Sequence, residues 1–235
     1  MFKIEIATLF PSIFVEATKQ SILKRAIEKK LVKINTYNIR DYTKNKHKKV
    51  DDYPYGGGKG MLMMADPIYC CCEEIMKKDK KIKVIYLSPK GKVLKQEKIE
   101  KLAKENSSIL LICGHYEGID QRLIDLIVDE EISIGDYVLT GGEMAALVLV
   151  DALIRMIPGV LSDSECYEKE SHYDGLLEYP QYTRPREWKG QKVPDVLLSG
   201  DHKKIEEWRK IKSIEITKIN RKDMWKRYEE REKND

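Results

Sequence analysis

The sequence has no apolar run approaching the roughly 18 residues a membrane span requires. The apolar stretch at residues 145–150 is far too short. The first residues alternate like a strand and lack both the apolar segment and the small-residue cleavage site of a secretory signal, so a cytoplasmic location is expected. Five cysteines are present, Cys70, Cys71, Cys72, Cys113 and Cys166. A triplet of neighbours gives no C-x-x-C spacing, and an odd number leaves no complete disulfide framework. The four histidines, His47, His115, His172 and His202, are scattered. The cysteines therefore read as reduced and structural, with no zinc site. G-x-G-x-x-G is missing, because Met61 occupies its last position after Gly56 and Gly58. G-x-x-x-x-G-K-[ST], H-E-x-x-H and G-x-S-x-G are missing too. Ordinary dinucleotide-binding, P-loop, zinc-protease and serine-hydrolase readings lose their sequence support.

What remains is a 235-residue chain, 42% apolar and 35% charged, which fits a globular core with a smaller appendage. The net charge of +4 says less than its distribution. Residues 42–50 hold Lys44, Lys46, His47, Lys48 and Lys49 without an acid. Residues 161–180 are acidic, with Asp163, Glu165, Glu168, Glu170, Asp174 and Glu178 against Lys169. From Arg186 onward Lys and Arg are frequent.

The hydrophobic periodicity alternates strands with helices. Strands are expected at 3–8, 31–37, 83–87 and 109–113, the last without alternation, as in a strand buried on both faces. Helices are expected at 12–30 with a serine start, 66–78 with Pro67 in the first turn, 96–105, 119–128 and 143–156. Such alternation argues for an α/β fold with a mostly parallel sheet. Residues 161–173 lack periodicity and read as a flexible linker. Beyond them, 202–212 and the segment around 224–228 read as helices of a small helical C-terminal domain, with Ser199 or Asp201 as cap of the first.

Ligands of open parallel sheets sit in loops at the carboxyl ends of strands. Three loops are built for close backbone approach: 88–91, 114–118, and 133–136 with Thr140, Gly141 and Gly142. Residues 55–60, with Gly56, Gly57, Gly58 and Gly60 beside the basic segment, suit a loop that meets phosphates through backbone N–H groups.

Eight ordered motifs go further. They are Tyr-Pro-Tyr-Gly-Gly-Gly-Lys-Gly-Met at 53–61, Tyr-Leu-Ser-Pro at 86–89, 114–120, 132–143, Ile-Pro-Gly-Val-Leu at 157–161, Gly-Leu-Leu at 175–177, Tyr-Thr-Arg-Pro at 182–185, and 196–200. In order and spacing they resemble the bacterial tRNA (guanine-N1)-methyltransferases, the TrmD family of the trefoil-knotted SpoU–TrmD superfamily, from Met1 to about Arg227.

The resemblance implies a knotted methyltransferase domain over 1–160, a linker over 161–173 and a helical tRNA-binding domain over 174–235. It implies a homodimer, S-adenosylmethionine as methyl donor, Mg²⁺ at no identified site, and tRNA as substrate. The target would be N1 of guanosine 37, 3′ of the anticodon and preceded by guanine, a modification that prevents frameshifting.

Arg155 and Glu170 fall on the catalytic positions. The donor contacts carry over to Tyr86, Leu87, Ser88 and Pro89; to Gly114, Tyr116 and Glu117; to Ser133, Ile134, Gly135, Asp136, Tyr137, Val138 and Leu139; and to Gly141 and Gly142. Lys44, Lys46, Lys48, Lys49, Asp51, Asp52, Gly60, Arg184 and Arg186 would meet RNA. The sequence departs from the family at Lys59 and Ala145, where prolines are usual, at His115, where arginine is usual, and at Glu170, where aspartate is usual.

Overall fold

The computed structural model describes residues 1–162 and 170–233. It divides into two compact units, Met1–Leu161 and Ser162–Asp235.

The first unit is built on a five-stranded sheet in the order β2-β1-β6-β5-β7. Its strands are β1 (Phe2–Thr8), β2 (Val32–Asn38), β5 (Lys83–Val93), β6 (Ser108–Cys113) and β7 (Glu130–Ser133). Every pairing among them is parallel. The short strands β3 (Asp51–Asp52) and β4 (Leu62–Met63) form a separate antiparallel pair. All of β6 is buried, and its residues alternate between two cores, as the two-residue period of a strand requires. Ile109, Leu111 and Cys113 join Leu149, Val150 and Leu153 of α6 (Gly142–Ile154) on one face. Leu110 and Ile112 join Ile68, Cys71 and Ile75 of α3 (Ala65–Lys78) on the other. Helices α1 (Pro11–Ala17), α2 (Ser21–Glu28) and α4 (Gln96–Glu105) add Phe14, Ala26, Ile99 and Leu102 to the α6 face. Helix α5 (Gln121–Ile127) adds Leu123 to the α3 face.

Several expectations need correction. The helix expected over 12–30 is two, because the chain turns at Thr18–Gln20 and Ser21 takes a φ of 47°. Its start is Pro11 after Phe10, with no side-chain cap, rather than a serine. The strand expected over 83–87 runs on to Val93, through a register shift in which Leu87 and Lys92 both lie opposite Ile132. A bulge of this kind tolerates Pro89 inside a strand. The strand Glu130–Ser133 was not foreseen: four residues with two leading glutamates carry too little apolar pattern. The helices expected over 119–128 and 143–156 are shorter, Gln121–Ile127 and Gly142–Ile154, and Asp120 caps the first by accepting from the Arg122 N–H at 3.0 Å.

In the second unit α7 (His202–Asn220) starts at Asp201, whose carboxylate accepts from the Lys204 N–H, and α8 (Lys222–Glu232) follows at once. Leu176, Ser213, Thr217, Met224 and Tyr228 are buried here. Thr217 Oγ1 accepts from the Leu177 N–H at 2.8 Å and ties the entering chain to α7. A two-residue-strand hairpin, β8 (Glu187–Trp188) and β9 (Gln191–Lys192), precedes α7. The linker expected over 161–173 lies partly outside the described residues, with Asp163, Glu165, Cys166 and Glu168. No helix among the described residues is long and apolar enough to cross a membrane.

Candidate active site

Strands β6, β5 and β7 are neighbours in the sheet, so their carboxyl ends bring three glycine-bearing segments side by side. A narrow cleft of about 80 Å³ lies among them. All the expected donor contacts line it except Tyr116, Glu117 and Asp136. Gly118, Ile132 and Ala145 also line it and were not foreseen, although Gly118 and Ile132 adjoin residues that were.

Missing side chains shape this cleft. A Cβ on Gly142 would stand 2.8 Å from the Cys113 Cα, and one on Gly141 would stand 2.1 Å from His115 Nε2. The Gly142 N–H donates to the Gly114 carbonyl at 2.9 Å, and His115 pairs with Gly141. The loop after β6 is thereby laced to the start of α6. A cradle that a single methyl would fill suits a ligand read by backbone groups.

Glu143 lies under this lacing, 3% exposed. Its Oε1 accepts from the Thr8 hydroxyl at 2.6 Å, and its Oε2 stands 2.8 Å from His115 Nε2. The Phe10 ring covers His115 at a centroid distance of 5.0 Å. On the other wall burial, with Glu131 nearby, pushes the Tyr86 phenol up to about 12, so it stays protonated near neutral pH. Ser133 Oγ accepts from the Gly135 N–H at 3.2 Å and bends the chain after β7. Tyr137 and Val138 beyond it are 56% and 82% exposed, so this wall is open to solvent.

Glu117 serves the neighbouring glycine loop. Its N–H donates to the Met61 carbonyl at 3.0 Å, and Gly60, with a φ of 96°, leaves room for its carboxylate. Tyr116 holds a φ of 59° with its ring half exposed. The glycine loop 56–60 is exposed, and nothing lies within 4 Å of where side chains at Gly56, Gly57 and Gly58 would begin. Lys44 and Lys46 are exposed, whereas Lys48 pairs with Asp41 at 2.9 Å and Lys49 with Asp52 at 3.0 Å. The hydrogen bond from Lys49 holds the Asp52 carboxyl below its ordinary range. Asp51 and Asp52 form β3, and Asp52 borders a wider groove of about 560 Å³ with Tyr53, Tyr55 and Asp120.

Arg155 caps the far end of α6. Thirteen residues at about 1.5 Å each separate it by about 20 Å from the cleft at Gly142. Glu170 belongs to the second unit, where it lines a pocket of about 140 Å³ with Asp174, Glu178, Arg209 and Lys210. Asp174 accepts from the Leu176 N–H at 3.0 Å and faces Lys210 at 3.9 Å, as a turn residue does. Arg184 and Arg186 are exposed. Among the described residues no three His, Cys, Asp or Glu side chains gather so as to hold a metal ion.

The chain matches the family described as tRNA (Guanine-1)-methyltransferase TrmD over residues 2–227. It is 59% identical over 229 residues to the tRNA (guanine-N(1)-)-methyltransferase of Alkaliphilus oremlandii, covering 95% of this chain and 92% of that one. It is 55% identical over 231 residues to the enzyme of that name from Clostridioides difficile, covering 97% and 100%. A family match over nearly the whole chain, joined to relatives of this identity and length, makes the chain a member of the TrmD family of tRNA (guanine-N1)-methyltransferases.

Proposed function

We propose that the chain transfers the methyl group of S-adenosylmethionine to N1 of guanosine 37 in tRNA, 3′ of the anticodon, and thereby prevents frameshifting. The observation that carries this reading is the cleft at the ends of β5, β6 and β7, whose walls at Gly114, Gly141 and Gly142 leave no room for a Cβ. Those residues, with Tyr86, Leu87, Ser88 and Pro89 and the segment 133–139, fit a donor with a flat adenine and a polar tail. The donor supplies an activated methyl on sulfur.

The protein's own work is on the acceptor. Guanine N1 carries a proton that must leave, and negative charge then moves toward O6. Glu170 is the general base for that proton. Arg155 is the cation that stabilises the charge on O6. The enzyme must also align the acceptor N1 within roughly 3–3.5 Å of the methyl.

The 20 Å length of α6 supports a homodimer in which each cleft takes Arg155 from the second copy. Met144 and Val148 are about half exposed and follow the same helical stripe as Asp151 and Arg155, an apolar strip a second copy would cover. Membership of the TrmD family supports a trefoil knot in the first unit. Lys44, Lys46, Lys48, Lys49, Gly60, Arg184 and Arg186 would meet tRNA phosphates, and Asp51 and Asp52 the base before the target. A tRNA substrate points to the cytoplasm. The Mg²⁺ implied by the family is assigned no residue, and no step runs through it.

Labelled methyl donor with tRNA transcripts carrying guanine or adenine at position 37 tests the reading. Label should enter only the guanine transcript, at N1. Label on a ribose hydroxyl, or equal label in both transcripts, would overturn it.

A further inference from the structure

Trp188 is 62% exposed on a hairpin that the chemistry above does not use. The turn residues Lys189 and Gly190 have φ values of 48° and 77°. Positive φ at both positions marks the tight turn whose twist matches paired strands. Trp188 lies opposite Gln191, and Glu187 opposite Lys192. The Val193 N–H donates to the Arg186 carbonyl at 2.9 Å and extends the pairing by one rung. Side chains alternate across a strand, so Arg186, Trp188 and Gln191 share one face.

The surroundings of this indole are cationic. Between Arg184 and Val193 stand Arg184, Arg186, Lys189 and Lys192 against the single acid Glu187, which pairs with Lys192 at 3.9 Å. The Lys189 ammonium lies 5.0 Å from the Trp188 ring centroid. An apolar protein partner would want aliphatic neighbours around the ring. A nucleobase wants a flat π-face with cations for the adjoining phosphates.

We propose that the Trp188–Gln191 face is a stacking platform for one unpaired RNA base, with Arg186 on the neighbouring phosphate. The Gln191 amide both donates and accepts, so it can meet the edge of any base. The proposal rests on the reading that the chain acts on tRNA.

Kinetics with an unmodified tRNA transcript test it. Trp188→Ala should raise both the Kd and the KM for tRNA about tenfold, the range of one lost stacking contact. The kcat at saturating tRNA should stay within about twofold, since the reacting atoms are untouched. Trp188→Phe should restore most of the affinity. Independently of methyl transfer, a single-stranded oligoribonucleotide should quench the tryptophan fluorescence of the wild-type chain, and Trp188→Phe should lose that quenched component. Quenching by a chain that transfers no methyl would sink the proposed function and support the platform. Wild-type tRNA affinity in Trp188→Ala, or no Trp188-dependent quenching, would overturn the platform. A change in sedimentation with unchanged tRNA affinity would also overturn it, assigning the face to a protein partner.

Discussion

His115 Nε2 stands 2.8 Å from Glu143 Oε2, and through this carboxylate the loop after β6 is joined both to α6 and to Thr8 at the end of β1. Glu143→Leu leaves the Thr8 hydroxyl and the His115 ring without their buried partner, at a cost of about 1–3 kcal/mol. Because the same loop walls the cleft, binding of the demethylated donor product should weaken about tenfold or more. Glu143→Gln keeps an acceptor for Thr8 and should lose less of both. Thermal unfolding and calorimetric titration of the three proteins give the comparison, and a Glu143→Leu chain matching wild type in both would end the argument.

Arg155→Ala should lower single-turnover methyl transfer by about 10²–10³-fold, as loss of one group that stabilises developing charge does. Donor affinity should stay near wild type, since the proposed role of Arg155 is toward O6 of the acceptor and not toward the donor. A fall in donor affinity equal to the fall in rate would make Arg155 structural instead. Heterodimers of Arg155→Ala with Glu170→Gln chains should regain one working site, because one of the two sites then receives both intact residues. Well-folded heterodimers with no activity would exclude a site that takes Arg155 from one chain and Glu170 from the other.

Glu170→Gln should abolish most turnover and Asp174→Asn little of it. The Asp174 carboxylate is engaged by the Leu176 N–H and faces Lys210, which suits a turn and not proton abstraction. Glu170→Asp should be impaired although it restores the usual family residue, since a displacement of about 1 Å can cost roughly 10²-fold. Single-turnover rates across pH separate the two acids. Loss of the acidic limb in Asp174→Asn, with the limb retained in Glu170→Gln, would reverse the assignment.

Glu130 at the start of β7 gives a pH dependence of stability. Burial alone would push its carboxyl up, but Lys98 at 2.5 Å and Lys83 at 3.4 Å outweigh it and hold it below the ordinary value of 4.5. A carboxyl depressed in the folded state contributes stability above its unfolded pKa and loses it as pH falls through the folded one. Glu130→Gln should therefore melt below wild type at pH 7, by about 1 kcal/mol or less. The difference should shrink as pH falls below 4.5. A gap unchanged down to pH 3 would show that the lysines do not carry it.

Local pattern carried much of the fold. Residues 96–105 read as an amphipathic helix and form one, because Ile99 and Leu102 are the buried positions among charges. The unalternated run at 109–113 is a strand buried on both faces. The residues around the cleft were legible because glycine at the end of a strand is a local signal. The network beneath them was not: Thr8 and Glu143 are 135 residues apart, and nothing in either segment announces the other. The break between α1 and α2 was hidden for a different reason. It falls at Thr18, Lys19 and Gln20, with the Thr18 hydroxyl donating to the Phe14 carbonyl at 2.9 Å, and no glycine or proline marks it. The separation of Arg155 from the cleft needed only the helix length, once α6 was known to start at Gly142.

The bulge in β5 has a consequence for the traffic of small molecules. Leu87 and Lys92 both register on Ile132, and Gly91 packs so closely on β7 that a Cβ there would stand 2.5 Å from the Glu131 carbonyl carbon. The ledge at Ser88–Gly91 is thus pinned at both ends to one rung of the sheet and has no hinge of its own. The opposite wall carries Tyr137 and Val138 out into solvent. If the cleft holds the donor as proposed, the residence times of donor and product should respond to changes at residues 134–139, while the ledge fixes the pose that both adopt.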